Sequence, residues 1–167
     1  MKVFFVIGAF LLGANFTFAQ KDTDENKESI RLFAAFIKGK KLYRTPGACV
    51  TCHLQNGKGL EAAHFPPLTN TDWVTGSEEV LIRITLHGVQ GPMKVGDKEY
   101  GVVPMVTTLW AKWSDEEIAA VLTYIRNEWG NEAPQISPKS VKKIRAKVGK
   151  RYLPWTVKEL ARISHRA

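Results

Sequence analysis

Apolar residues recur along this chain mostly at steps of three to five, the spacing of one face of a helix. Ile30, Phe33, Ala34, Ile37 and Leu42 predict a first helix from Glu28, which Thr45-Pro46-Gly47 interrupts. Val80, Leu81 and Ile84 predict a short inward-facing helix, with Ser77 as its cap and Gly88 at its end. The clearest pattern covers 115–129, where Ile118, Val121, Leu122, Ile125 and Trp129 form the stripe and Gly130 is placed to stop it. Ser114 and Glu117 have the spacing of a capping box, in which each side chain satisfies a backbone N–H left over at the helix start. Two more helices are predicted further on. One starts near Pro138 and buries Val141, Ile144 and Val148; the other starts at Thr156, with Glu159 completing a box and Trp155 stapled over Leu160.

Between the helices lie turn formers. Residues 54–76 hold Asn56-Gly57, Gly59 and Pro66-Pro67, and residues 88–104 hold four glycines and two prolines, so both read as loop. No stretch sustains the alternation of a strand, and the expected class is all-α. Loops this long need something besides strands to pack against.

The amino terminus follows a different rule. Lys2, an apolar run from Val3 to Leu12 and the small-residue ending Thr17-Phe18-Ala19 read as a secretory signal peptide, residues 1–19, cleaved after Ala19. The run is short for a membrane span of about twenty residues, and an uncleaved anchor is the alternative. An exported, periplasmic protein is the expectation. Residues 20–34 read as a flexible polar start, through Lys27, leading into the first helix. Residues 35–133 read as the main domain and 134–167 as an extension.

Charge separates these last two regions. The formal net charge is +8, yet residues 20–138 carry 13 Lys and Arg against 15 Asp and Glu, whereas residues 139–167 carry 10 against Glu159 alone. The extension could dock on an acidic protein or an anionic membrane surface, or could be a solvated face. Nucleic acid is not an expected partner of an exported protein.

The chemistry sits in Cys49-Val50-Thr51-Cys52-His53, which contains both cysteines of the chain. Two thiols with two residues between them can form thioethers with the two vinyl groups of a porphyrin, and a histidine directly after them is placed to bind the iron. A thioredoxin-like pair would expect a strand–helix–strand setting, and zinc would need more ligands than His64, His87 and His165 arrange. One covalently attached haem, held by Cys49, Cys52 and His53, is the reading that remains. For the second axial position, Met93 and Met105 both lie in loop downstream of His53. Met105 is preferred because Pro104 stiffens the backbone beside it, Met93 stays as the alternative, and His64 or His87 would give bis-histidine ligation.

Several stretches then resemble small bacterial class I cytochromes c, especially cytochrome domains associated with quinoprotein alcohol and sugar dehydrogenases. They include Gly39-Lys40-Lys41-Leu42-Tyr43, His53-Leu54-Gln55-Asn56-Gly57-Lys58-Gly59, Phe65-Pro66-Pro67-Leu68, Asp72-Trp73-Val74 and Gly88-Val89-Gln90-Gly91-Pro92. The strongest runs from Ser114 to Arg126; the match covers about residues 35–133, and Pro154-Trp155-Thr156 is similar to extensions on such domains. The resemblance implies the class I cytochrome c fold, helices and long loops around one haem, with the first and last core helices crossing at Gly39 near Tyr43 and Tyr124. It implies that the carbonyl of Pro66 or Pro67 accepts the free ring N–H of His53. The expected function is electron transfer between exported redox proteins, a quinoprotein dehydrogenase and a terminal oxidase or another cytochrome among them; the alternatives are a dedicated haem-bearing docking subunit of a dehydrogenase or oxidase complex, and a haem enzyme or gas sensor. Relatives usually carry the ligand as Met-Pro, whereas this chain has Val103-Pro104-Met105.

Overall fold

The structure is a computed structural model and describes residues 12–107 and 109–164. Its elements run α1 (Leu12–Tyr43), α2 (Val50–His53), a 3₁₀ turn (Glu61–Ala63), α3 (Asp72–Thr75), α4 (Glu78–His87), β1 (Val89–Gln90), β2 (Met93–Val95), β3 (Lys98–Tyr100), α5 (Leu109–Lys112), α6 (Asp115–Ile125), α7 (Pro138–Val148), β4 (Trp155–Thr156) and α8 (Val157–Ser164).

The chain divides into two units within α1, at Ala34 and Ala35. In the first unit, residues 20–27 are helical rather than the flexible start that their polarity suggests. No proline or glycine occurs between Ala14 and Lys38, so nothing in that stretch breaks the turn-to-turn ladder. Of the expected signal peptide, residues 1–11 lie outside the described residues. Among the described residues no helix is long and apolar enough to cross a membrane.

The second unit, from Ala35 onward, holds the rest. Its first helical segment does not bury the apolar stripe marked out by spacing: Ile37 is exposed, as are Ile30 and Phe33 in the first unit. The packed side is instead Phe36, Gly39 and Tyr43, which meets α6. A Cβ on Gly39 would run into the Ala120 carbonyl and the Tyr124 Cβ, so only glycine allows this crossing. Phe36, Tyr43, Tyr124 and Trp129 then interlock, edge-to-face except for the tilted pair Tyr43–Tyr124, with ring centroids 5.1 to 5.5 Å apart.

Capping follows the sequence. Ser77 accepts from Val80 N–H, Ser137 from Ser140 N–H, and the reciprocal bonds of the Ser114–Glu117 box are both present. Thr156 and Glu159 form a second reciprocal pair at 2.8 and 3.2 Å. Two features depart from expectation. Helix α6 stops at Ile125, short of Trp129, whose backbone is left-handed at φ 58°. Its indole leaves the stripe, packs over Gly57 and donates to the Gln55 carbonyl at 3.1 Å. The 88–104 loop also contains strands. β2 and β3 form an antiparallel hairpin about Gly96-Asp97 that turns Met93 and Val95 inward and Lys94 outward.

The basic extension is part of the packing, not an appendage. α7 lies against α4 and α6, burying Val141 and Ile144, and α8 lies against α4. β4 pairs in parallel with β1, Val89 opposite Trp155. Two apolar clusters result. One contains Tyr43, Val74, Leu81, Leu122 and Ile125; the other contains Ile84, Val89, Met93, Trp155 and Leu160.

Candidate functional site

Where the two clusters meet they leave a narrow cavity, lined by residues of both. Its walls come from α2 (Cys49 at its cap, and His53), the loop Pro66–Leu68, α4 (Leu81, Ile84, Thr85), the β1–β2 segment (Val89, Met93, Val95), Met105, Leu109 and α6 (Val121, Leu122, Ile125). Nearly all of these groups are apolar. A flat hydrophobic ligand fits such walls; a hydrated metal ion does not. Among the described residues no cluster of His, Cys, Asp and Glu is arranged to hold a metal ion by itself.

The polar atoms that do face this space are specific. The motif from Cys49 to His53 is a single helical turn, closed by the His53 N–H to Cys49 carbonyl bond at 2.9 Å. One turn puts Cys49 and His53 on the same side, and both line the cavity. Cys52, half-buried in the same turn, does not line it; neither cysteine is in a disulfide. Burial pushes the Cys49 thiol up to about 11, so it is a neutral thiol. His53 is 7% exposed, and burial draws its imidazole below the ordinary value, opposed in part by its bond to Pro66. That bond links Nδ1 to the Pro66 carbonyl at 2.9 Å, selecting Pro66 over Pro67. It fixes the ring and leaves Nε2 available as a ligand atom. Leu54, with φ 60°, then turns the chain away, and its carbonyl accepts from the Tyr43 hydroxyl at 2.7 Å.

Both candidate methionines reach the same cavity, while the candidate histidines do not. Met105 is held by backbone bonds in both directions with Val89, at 2.9 and 3.0 Å. Met93 is 6% exposed on β2. His64 is exposed, with φ 57°, beside the pair formed by Glu61 and Lys98. His87 is buried at the end of α4 but away from the cavity wall, and burial lowers its affinity for a proton, opposed in part by a hydrogen bond with the Arg151 backbone. Bis-histidine ligation across this cavity therefore has no geometric support.

Two residues that frame the site escaped the sequence reading. Arg126 donates to the Val74, Gly76 and Pro134 carbonyls at 2.8, 3.1 and 2.9 Å, fixing the turn beside α3. Asn131 donates to the Leu68 and Ile125 carbonyls and accepts from Asn70 N–H, tying the proline loop to the end of α6. Arg126 did leave a signal: it continues the apolar stripe of α6 one turn past Leu122, where a charged residue is out of place.

Comparison with known proteins gives the same answer as the cavity. The family model "Cytochrome c" matches residues 36–129. Cytochrome c-552 of Thermus thermophilus is 37% identical over 125 residues, covering 70% of this chain and 80% of that protein. The fructose dehydrogenase cytochrome subunit of Gluconobacter japonicus is 30% identical over 111 residues, 65% of this chain but 22% of the subunit. The cytochrome c subunit of the quinone alcohol dehydrogenase of Gluconacetobacter polyoxogenes is 34% identical over 88 residues, 52% of this chain and 18% of that subunit. The chain thus spans about a fifth of these two dehydrogenase subunits and most of the Thermus protein. An apolar slot at the meeting of two helical clusters, and a family match spanning its walls from Phe36 to Trp129, make this chain a member of the cytochrome c family: a class I domain that binds one covalently attached haem c and carries electrons rather than acting as an enzyme.

Proposed function

We propose that this chain is an exported, periplasmic single-haem electron carrier in which Cys49 and Cys52 form the thioethers and His53 and Met105 are the axial ligands. The observation that carries this reading is the oriented imidazole of His53, fixed through Pro66 and facing the same apolar cavity as Met105. When bound, haem c supplies a one-electron ferric–ferrous couple. The chain's residues do the rest. The Pro66 carbonyl holds the imidazole in one orientation and raises its basicity as a ligand. Met105 is set on a backbone paired with Val89, so its thioether approaches from a fixed segment rather than a free loop. Leu81, Leu122 and Ile125 keep water from the cavity, which disfavours the extra positive charge of the ferric state and raises the potential. Redox-monitored visible spectroscopy of the exported protein tests this reading. A low-spin spectrum with the weak ferric absorption of a methionine ligand, and a reversible one-electron wave, are expected; a high-spin ferric spectrum would overturn it.

A second reading has its own support. As in the dehydrogenase subunits it resembles, the domain could serve one particular redox complex, docking through its basic face. Lys139, Lys142 and Lys143 lie exposed on the side of α7 opposite Val141 and Ile144. Because α7 is built into the core, deletion of the extension would damage the fold, and charge reversal is the cleaner test. Replacing these three lysines by glutamate is expected to slow electron exchange with an acidic partner roughly tenfold at low ionic strength, with the effect fading as salt screens it. Stopped-flow rates against salt would check this. A free carrier with no acidic partner would show no such change.

A further inference from the structure

Residue Val89 stands between two segments that are far apart in the chain. On one side its N–H and carbonyl both bond to Met105. On the other, β1 pairs with β4, and Trp155 N–H donates to the Gly88 carbonyl at 3.0 Å. Gly88 is itself clasped: its φ is 84°, and a Cβ there would run into the Met105 carbonyl. The backbone of Met105 is thus linked through two residues to the basic extension. Side chains follow the same route, since Trp155 and Leu160 pack in one cluster with Val89, Met93 and, at its edge, Met105.

The extension is locked on from outside. The Arg151 guanidinium lies 3.8 Å from the Trp155 ring centroid and that of Arg83 lies 4.7 Å away. Arg151 is held by Glu159 and by the Leu153 and Pro154 carbonyls, Arg83 by Glu79. Cations over an indole face are attracted to its π-electrons, so these pairs hold the ring as well as cover it. The indole Nε1 has no hydrogen-bond partner among the described residues, which leaves packing and stacking as the work of this side chain.

From this arrangement we infer that the segment Arg151–Leu160, through Trp155, positions Met105 and holds the distal face of the site closed. This rests on Met105 being the ligand. Trp155 is a positioning residue: it acts through Gly88 and Val89 and does not itself line the cavity. A strand pair of two residues is weak alone. Loosening one edge of β1 therefore frees Gly88–Val89, and the Met105 segment bonded to its other edge loses its reference. The population with an open distal position rises, and the apparent affinity for an added ligand rises with it.

The test uses the ferric holoprotein, with imidazole as the probe and visible titration as the readout. Trp155→Ala is expected to raise imidazole affinity at least about tenfold and to weaken the methionine-to-iron absorption. Trp155→Phe, which keeps an aromatic ring in the stack while losing the unpaired donor and part of the indole's volume, is expected to stay close to the parent protein in imidazole affinity and absorption. In a Met105→Ala background, Trp155→Ala should add nothing, because the position is already open. If Trp155→Ala yields no folded protein, Arg151→Ala loosens the same segment from the surface and is read in the same way. A variant that melts earlier but leaves imidazole affinity and the absorption unchanged would overturn the inference, with Met105 ligation intact. If Met105→Ala alone changes neither spectrum nor imidazole affinity, the ligation reading falls, and this inference with it.

Discussion

Replacing both Cys49 and Cys52 by serine is expected to give a polypeptide of unmodified mass, colourless after denaturation and extraction, from cells that attach haem to the parent protein. The two thiols are the chain's whole supply of cysteine, so no other residue can form a thioether. The geometry predicts unequal single variants. Cys49 is on the cavity wall, whereas Cys52 is half-buried beside it in the same turn, so Cys49→Ser removes a group already in place and Cys52→Ser one that has to turn inward. Mass spectrometry of each variant checks the attachment. The loss should also reach the fold. Without a bound group, the two apolar clusters face each other across a water-accessible gap, and ligand binding that had stabilised only the native state is gone. A large fall in melting temperature is expected alongside the missing mass, and a double variant that kept covalent haem would refute the assignment.

Replacing Met105 by alanine should have the next largest effect. Axial ligands set haem potentials over a span of about 0.8 V, and exchanging a thioether for water or an open position is expected to lower the potential by roughly 0.1 V or more. The ferrous iron should then bind carbon monoxide. Met93→Ala is the matched control. Met93 reaches the same cavity from β2, where it is packed among Val80, Val95 and Tyr100. Its removal should cost about 2–5 kcal/mol of stability as a core truncation while leaving spectrum and potential close to the parent's. The opposite outcome, a spectral change with Met93→Ala and none with Met105→Ala, would exchange the two roles. Potentiometric titration with spectra at each step, and denaturant melts, separate these cases.

Much of this could be read from the chain, and the misses have physical causes. The motif from Cys49 to His53, the box at Ser114–Glu117 and the pair Thr156–Glu159 are local: their partners lie within a turn or so, so spacing alone carries them. Gly39 and Pro66 were legible only through resemblance to a family, because each acts on a residue distant in sequence or on backbone. Trp129 was misplaced since its spacing continues the α6 stripe. What removes it from the helix is tertiary, a left-handed turn that lays the indole over Gly57. Ile30, Phe33 and Ile37 have helical spacing yet stay exposed, because the face that packs is chosen by the partner, here the small surface at Ala120. The strands were invisible for a simpler reason: β1 and β4 have two residues each, too few to alternate. The extension looked like an appendage because its lysines dominate its composition, while Val141, Ile144, Trp155 and Leu160, the residues that anchor it, are few.

Arg126 has a consequence for the conditions under which the domain can work. Arg126 is 3% exposed, and its guanidinium joins two carbonyls at the end of α3 to the Pro134 carbonyl. Burial lowers its proton affinity, but a guanidinium starts so far above neutrality that it stays charged in any habitable medium. A histidine in that place would lose a donor on deprotonation, within the ordinary pH range. With arginine there, the seam between the α3 turn and the approach to α7 is insulated from swings in acidity.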